Sequence, residues 1–268
     1  MRGPYFAGVD SGSWNTKAAL LDADGRLVAT AVGRTGADVQ GAAERALAEI
    51  LSRAGVERSA VAALWSTGFG RHAIRIADGS RTEIDSHARG TLQFFSGPLT
   101  VIDIGGQDAK IILVDGEGRR VAHKMNRKCA AGTGSFLEEM ALRLDVAITD
   151  LPALAARSTE EIQLGSFCTV FTGTEVLGLI RQGKRPADLA RAAYRSVVKR
   201  VLEMERIEGK VVATGGVVAY HPMVVSLLSE AVGAPVTVPE HPQEIGALGV
   251  AVAARNAALA PAGAGGGP

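Results

Sequence analysis

The chain repeats itself. "DSGSWNTKAALLDADGRLV", beginning at residue 10, aligns without a gap on "DIGGQDAKIILVDGEGRRV", beginning at residue 103. At this constant offset of 93, eight of the nineteen positions are identical: Asp10/Asp103, Gly12/Gly105, Lys17/Lys110, Leu20/Leu113, Asp22/Asp115, Gly25/Gly118, Arg26/Arg119 and Val28/Val121. Each copy reads as strand, glycine turn, apolar strand, tight Asp-Gly turn and third strand. Unrelated hairpins share an Asp-Gly turn easily. They rarely share an Asp-x-Gly, a lysine and that turn in one register. The repeat therefore predicts a duplicated α/β fold, each half bringing an Asp-x-Gly hairpin to a shared cleft. Such hairpins suit a nucleotide, because glycine lets backbone N–H groups close on phosphate oxygens and a strand-end aspartate can hold magnesium.

The remaining pattern fits two α/β halves. Residues 38–54 carry helical apolar spacing, and "VAALWSTG" follows as a buried strand. A long helix is expected from about 186 to 208, with proline in its first turn. Next, "KVVATGGVVA" reads as strand, glycine turn and helix start, followed by a short strand, "APVTVP", and a last helix from about 243 to 255. Gly215 and Gly216 suit a backbone passing close to something flat, for which an adenine is the candidate. Residues 1–95 form the expected first lobe and 96–256 the second, with the final helix able to pack back on the first. The tail, 257–268, is too poor in large apolar residues for a core and is expected to be disordered.

Composition narrows the class. With 47% hydrophobic and 21% charged residues, the chain suits a globular protein, and a net charge of +1 gives no basic surface for nucleic acid. No apolar run approaches the ~20 residues of a membrane span, and the start lacks an apolar signal region, so a cytoplasmic protein is expected. Two cysteines make no disulfide scaffold.

The order of two Asp-x-Gly hairpins and then Gly-Gly resembles the phosphate-1, phosphate-2 and adenosine motifs of the superfamily of acetate and sugar kinases, heat-shock chaperone ATPases and actin. The implied fold is a duplicated actin-like (ribonuclease H-like) ATPase with two lobes around a nucleotide cleft. More narrowly, "GVDSGSWNTKAALLD", "STGFGR", "TEIDSHARG", "DIGGQDAK", "MNRKCAAGTGSFLE", "CTVF", "GGVVA" and "HPQEIGALGVA" resemble the ATPase activators of (R)-2-hydroxyacyl-CoA dehydratases and the related ATPase subunits of benzoyl-CoA reductase. The resemblance implies a homodimer that shares one 4Fe–4S cluster and binds ATP or ADP with Mg2+ in each subunit. ATP hydrolysis drives a low-potential electron onto an iron–sulfur dehydratase or reductase, with ferredoxin or flavodoxin as electron donor. By the same resemblance, Asp10 and Asp103 are the magnesium-side carboxylates. Ser11, Gly12, Ser13 and Lys17 hold the β- and γ-phosphates. Gly105, Gly106 and Gln107 form the second phosphate loop, Gly215 and Gly216 flank the adenosine, and Cys129 and Cys168 ligate the cluster. The chain departs from the family pattern at Ser86, Arg127, Ser135, the run 172–175 (including Gly173) and Tyr220, around the cluster or a partner.

Two thiols per chain meet a four-thiolate requirement if a two-fold axis brings the same pair from each subunit to one point. Each cysteine precedes a helical pattern, "AAGTGSFLEEMALRL" or "TVFTGTEVLGLIRQG", so both are expected at helix N-termini, whose free N–H groups favour thiolate. A buried small residue, a nucleophilic thiol and a phosphate loop at "AAGTGS" are the alternatives for Cys129. Gln107 is the candidate to orient the attacking water, with Asp10 as alternative and a bond within its own loop as the bland role. His87, Arg89 and Trp14 read as structural, and Lys110 as a tether for the second hairpin. The competing functions are an electron-activating subunit of benzoyl-CoA reductase or of another iron–sulfur partner, and a small-molecule kinase of the same superfamily.

Overall fold

A computed structural model describes residues 3–260 apart from 128, 166 and 167. The chain divides into two compact units. One takes in everything up to Ser96 and from Glu244 on, and the other is Gly97–Gln243.

In the first unit, β1 (Tyr5–Ser11), β2 (Asn15–Leu21), β3 (Leu27–Arg34), β4 (Val61–Thr67) and β5 (Gly79–Ser80) form a sheet of order β3-β2-β1-β4-β5. β1 is antiparallel to β2 and parallel to β4. Alternation along a strand sends successive side chains to opposite faces. Ala7, Val9, Ala18 and Leu20 pack with Leu47, Ile50 and Leu51 of α1 (Val39–Ala54). Phe6, Ala19 and Leu21 pack on the other face. α1 starts where the Asp38 side chain accepts from the Gly41 N–H at 2.9 Å, as an N-cap carboxylate does. α2 (Glu83–Thr91) is capped likewise by Thr82, which accepts from Asp85 N–H.

The second unit repeats this plan. β6 (Leu99–Ile104), β7 (Ala109–Val114), β8 (Arg120–Asn126), β9 (Lys210–Thr214) and β10 (Val236–Thr237) lie in the order β10-β9-β6-β7-β8, the first sheet's order read in reverse. The duplication extends to the hydrogen bonds of both turns. Gly12 N–H donates to Asn15 O and Gly105 N–H to Asp108 O; Asp22 N–H donates to Arg26 O and Asp115 N–H to Arg119 O. The Asp22 and Asp115 carboxylates also accept from the Arg26 and Arg119 N–H groups, and at Asp115 the Arg119 N–H, with the Arg119 guanidinium and the Glu117 N–H, holds the carboxyl below the usual range.

The helices here are α3 (Gly134–Arg143), α4 (Leu151–Ala155), α5 (Thr169–Arg181), α6 (Pro186–Leu202), α7 (Gly216–Tyr220) and α8 (Pro222–Val232). Phe136, Leu137, Met140, Tyr194, Val197, Val201 and Leu228 pack with Ile102, Ile104 and Ile111 of the sheet. Three expectations are corrected. α6 stops at Leu202, short of 208, and β10 spans only two residues. The last helix, α9 (Ile245–Leu259), extends through 257–259, placed above in the tail; it belongs to the first unit, the packing that the sequence left open, and residues 261–268 lie outside the described part. α9 is apolar nearly all round because it is buried nearly all round: Ile245, Leu248, Ala251 and Ala254 pack on the Phe6 face, and Gly249 presses on α2, where a Cβ would lie 1.7 Å from Ser86 O. No described helix is long and apolar enough to cross a membrane.

Candidate functional site

The two glycine turns carry equivalent polar clusters. β1 and β2 put Asp10 opposite Lys17, and β6 and β7 put Asp103 opposite Lys110. In each pair the ammonium lies 2.9 Å from a carboxylate Oδ2. Lys110 reaches Asp108 as well, at 3.0 Å. Lys110 thus tethers its hairpin, but the expectation that it would do so instead of repeating Lys17 is corrected, because both lysines make the same bond to the equivalent aspartate.

The parallel neighbour extends the equivalence beyond the aligned nineteen residues. Thr67 of β4 stands beside Asp10 and Thr214 of β9 beside Asp103. A glycine follows each threonine with positive φ, +87° at Gly68 and +99° at Gly215. A Cβ at Gly68 would lie 2.4 Å from Asp10 Oδ1; at Gly215 it would lie 2.7 Å from Asp103 Oδ1 and 2.4 Å from Ile104 O. Both positions therefore require glycine, for conformation and for space. What Gly215 passes closely is the end of its own neighbouring strand. Thr214 Oγ1 completes the second cluster by donating to Asp103 Oδ1 at 3.1 Å.

Other residues fasten the turns. Thr35 Oγ1 donates to Gly12 O at 2.8 Å and lies 2.9 Å from Thr16 Oγ1. Gly70 N–H donates to Ser11 O. At the second turn, Gly134 and Ser135 N–H donate to Gly105 O and Gly106 O at 2.9 and 2.8 Å, and Ser135 Oγ donates to Gly106 O at 2.7 Å. Among the residues expected to bind phosphate, Ser13 is exposed, Gly12, Lys17, Gly105 and Gly106 are half-buried, and Ser11 is fully buried. Gln107 is exposed on the second turn. Gly216 opens α7 beside Gln243. Thr35, Gly68, Thr214 and Gly246, the last lying close to both Asp10 and His87, were not assigned from the sequence. A threonine-glycine pair at the end of the fourth strand in each half was the signal available.

Beyond α7, Tyr194 Oη and His221 Nδ1 are 2.7 Å apart and buried. Burial pushes the tyrosine hydroxyl up and the imidazole down, so the pair stays neutral.

Both cysteines are half-buried and lie in the second unit. Cys168 is the N-cap residue of α5, and its carbonyl accepts from the Thr172 N–H and Oγ1 at 2.8 and 3.0 Å. Cys129 departs from expectation. Its helix starts only at Gly134, with Thr133 as N-cap, so Cys129 sits in the preceding loop. Asn126 holds that loop, its side chain accepting from Cys129 N–H at 3.3 Å and donating to Cys129 O at 3.1 Å. Among the described residues no three His, Cys, Asp or Glu side chains are placed to hold a metal ion together.

The chain is similar to known proteins over nearly its whole length. The chain is 37% identical over 252 residues to the (R)-2-hydroxyglutaryl-CoA dehydratase activating ATPase of Acidaminococcus fermentans, covering 92% of this chain and 96% of that one. It superposes on the crystal structure of the Acidaminococcus fermentans (R)-2-hydroxyglutaryl-CoA dehydratase component A with a TM-score of 0.91 and 36% identity, over 96% of this chain and all of the other. The activator of the 2-hydroxyisocaproyl-CoA dehydratase from Clostridium difficile, a structure with bound ADPNP, gives a TM-score of 0.88 at 33% identity and 95% coverage of both chains. Residues 7–254 match one family description throughout, which takes in both glycine turns, both thiols and the first two thirds of α9, and on that ground the chain belongs to the BadF/BadG/BcrA/BcrD ATPase family.

Proposed function

We propose that this ATPase is a cytoplasmic, homodimeric activator of an iron–sulfur 2-hydroxyacyl-CoA dehydratase, coupling ATP hydrolysis to transfer of one electron from ferredoxin or flavodoxin. The observation that carries the reading is the surface of α5. Immediately after the half-buried Cys168, Val170 and Phe171 are 72% and 69% exposed, and Leu177 two turns on is exposed too. Apolar side chains clustered beside a thiol fit an interface with a second copy. On that axis Cys129 and Cys168 of each subunit would hold a 4Fe–4S cluster, which supplies one-electron redox chemistry when bound. The Cys168 sulfur, at the head of a thirteen-residue helix, gains from the positive end of the helix dipole.

On the nucleotide side, Asp10 and Asp103 offer the hard oxygen donors that Mg2+ takes together with water and phosphate oxygens. Lys17 steadies Asp10 and brings positive charge to the first turn. Ser11 is proposed to contribute through its backbone, since its side chain is buried, while Gly12 and Ser13 face phosphate directly. Gly105, without a side chain, leaves room for the second phosphate, Gly106 presents its backbone N–H to it, and Gly215 and Gly216 flank the adenosine. Gln107, exposed on its turn, orients the attacking water, with Asp10 the alternative.

Anaerobic purification tests the proposal. A brown dimer carrying about four irons, which reduces a 2-hydroxyacyl-CoA dehydratase only while ATP is hydrolysed, is the expected result. A colourless, iron-free monomer that still hydrolyses ATP would refute it.

A further inference from the structure

The loop that carries Cys129 is fastened at both ends to the second glycine turn. At its start, Asn126 ends β8 opposite Ala109, the residue at which β7 leaves that turn. The Asn126 carboxamide folds over the loop, accepting from Cys129 N–H and donating to Cys129 O and, at 3.4 Å, to Ala131 O. At its far end the loop enters α3, and there Gly134 N–H, Ser135 N–H and Ser135 Oγ all donate to Gly105 O or Gly106 O. The fit is tight: a Cβ on Gly134 would lie 3.3 Å from Gly106 Cα.

Helix N-termini leave their first amides free for solvent, caps or ligands. Here two of them are used on the turn. Trans peptide planarity then fixes what the turn shows on its other side. With Gly105 O and Gly106 O aimed at α3, the N–H groups of the same two peptides, those of Gly106 and Gln107, are aimed away from it. An anion taken by these N–H groups polarises the carbonyls behind them and strengthens their bonds to α3, because hydrogen bonds through one peptide group reinforce each other.

We infer that Asn126 and Ser135 are positioning residues that tie Cys129 to the occupancy of the second glycine turn: phosphate on the Gly106 and Gln107 amides tightens the anchor of α3 and, with it, the loop from Cys129 to Thr133. The inference rests on the nucleotide part of the proposed function and needs no cluster.

Amide hydrogen exchange on the full-length, anaerobically purified chain tests it, with and without Mg2+-AMPPNP, alongside calorimetric titration of the same nucleotide. In the wild type, nucleotide should slow exchange of the Cys129–Ser135 amides about fivefold or more, the worth of one neutral hydrogen bond. Asn126→Ala and Ser135→Ala should each lose most of that slowing while still binding AMPPNP, and Ser135→Thr, which keeps the hydroxyl, should restore it. Binding without any slowing in the wild type, or equal slowing in wild type and both alanine variants, overturns the inference and leaves the ATPase reading intact. Absence of AMPPNP binding in the wild type overturns both. Iron content near zero with slowing present refutes only the cluster.

Discussion

Lys110 Nζ lies 2.9 Å from Asp103 Oδ2 with the two side chains only 4% and 3% exposed, whereas in the equivalent pair Lys17 is 15% exposed and Asp10 6%. Removing one partner of a buried ion pair strands the other charge and costs about 3–5 kcal/mol. Lys110→Met should therefore destabilise the protein by about that amount, and Lys17→Met by only about 1–3 kcal/mol, since water can reach Asp10 in its place. Urea denaturation measures both, and equal losses would contradict the difference in burial.

Gly68 tests the site without replacing an ionisable group. A Cβ there would push into Asp10 Oδ1 and Ser11 O on a backbone already at φ +87°. Displacement of a reacting group by about 1 Å costs on the order of 100-fold in rate. Gly68→Ala should lower ATP turnover by about that factor while the far-UV circular dichroism stays that of the wild type. Unchanged phosphate release would separate Asp10 from the chemistry.

Cys168→Ser should take the anaerobic protein from about four irons per dimer to fewer than about one, with nucleotide affinity kept within about threefold. Full iron retention would remove Cys168 from the ligand set.

The apolar head of α5 predicts an association defect. Phe171→Asp puts a charge among Val170 and Leu177 on the face assigned to the second copy. Sedimentation should show the variant as monomer at concentrations where the wild type is dimer, with iron lost in parallel. A dimeric Phe171→Asp would move the interface elsewhere.

His221 makes stability depend on pH. Its folded-state pKa is lowered by burial, below an unfolded value of about 6.5. Above that value it is neutral in both states and contributes no pH dependence. As pH falls below it, the unfolded chain takes up the proton and the folded one does not, so stability drops by up to about 1.4 kcal/mol per pH unit until the folded value is reached. His221→Gln should flatten the fall in urea midpoint between pH 7.5 and 5.5 relative to the wild type. Parallel profiles would show that His221 is protonated as readily in the fold as outside it.

Much of the site was legible because its signals are local. Each Asp-x-Gly turn and its two flanking strands lie within about twenty residues, so strand alternation and turn residues suffice to place them; that Asp10 meets Lys17 and Asp103 meets Lys110 across these hairpins emerged only from the fold. The start of α5 at Cys168 followed from apolar spacing. The start of α3 did not, because Ala130 to Gly134 is neutral between loop and helix, and contacts with Gly105 and Gly106 decide where the first turn forms.

Taken alone, the sequence determined the duplicated hairpins and the residues at their turns. Those features depend on bonds between near neighbours and on a period of two. Tertiary structure decided that α9 joins the first unit, that Gly215 is the counterpart of Gly68, and that Asn126 and Ser135 hold the Cys129 loop to the second turn. The first two join residues far apart in the chain, and in the third short polar side chains have many possible partners, so each choice was made by packing, where a glycine without a Cβ or a carbonyl without a donor admits one neighbour and not another.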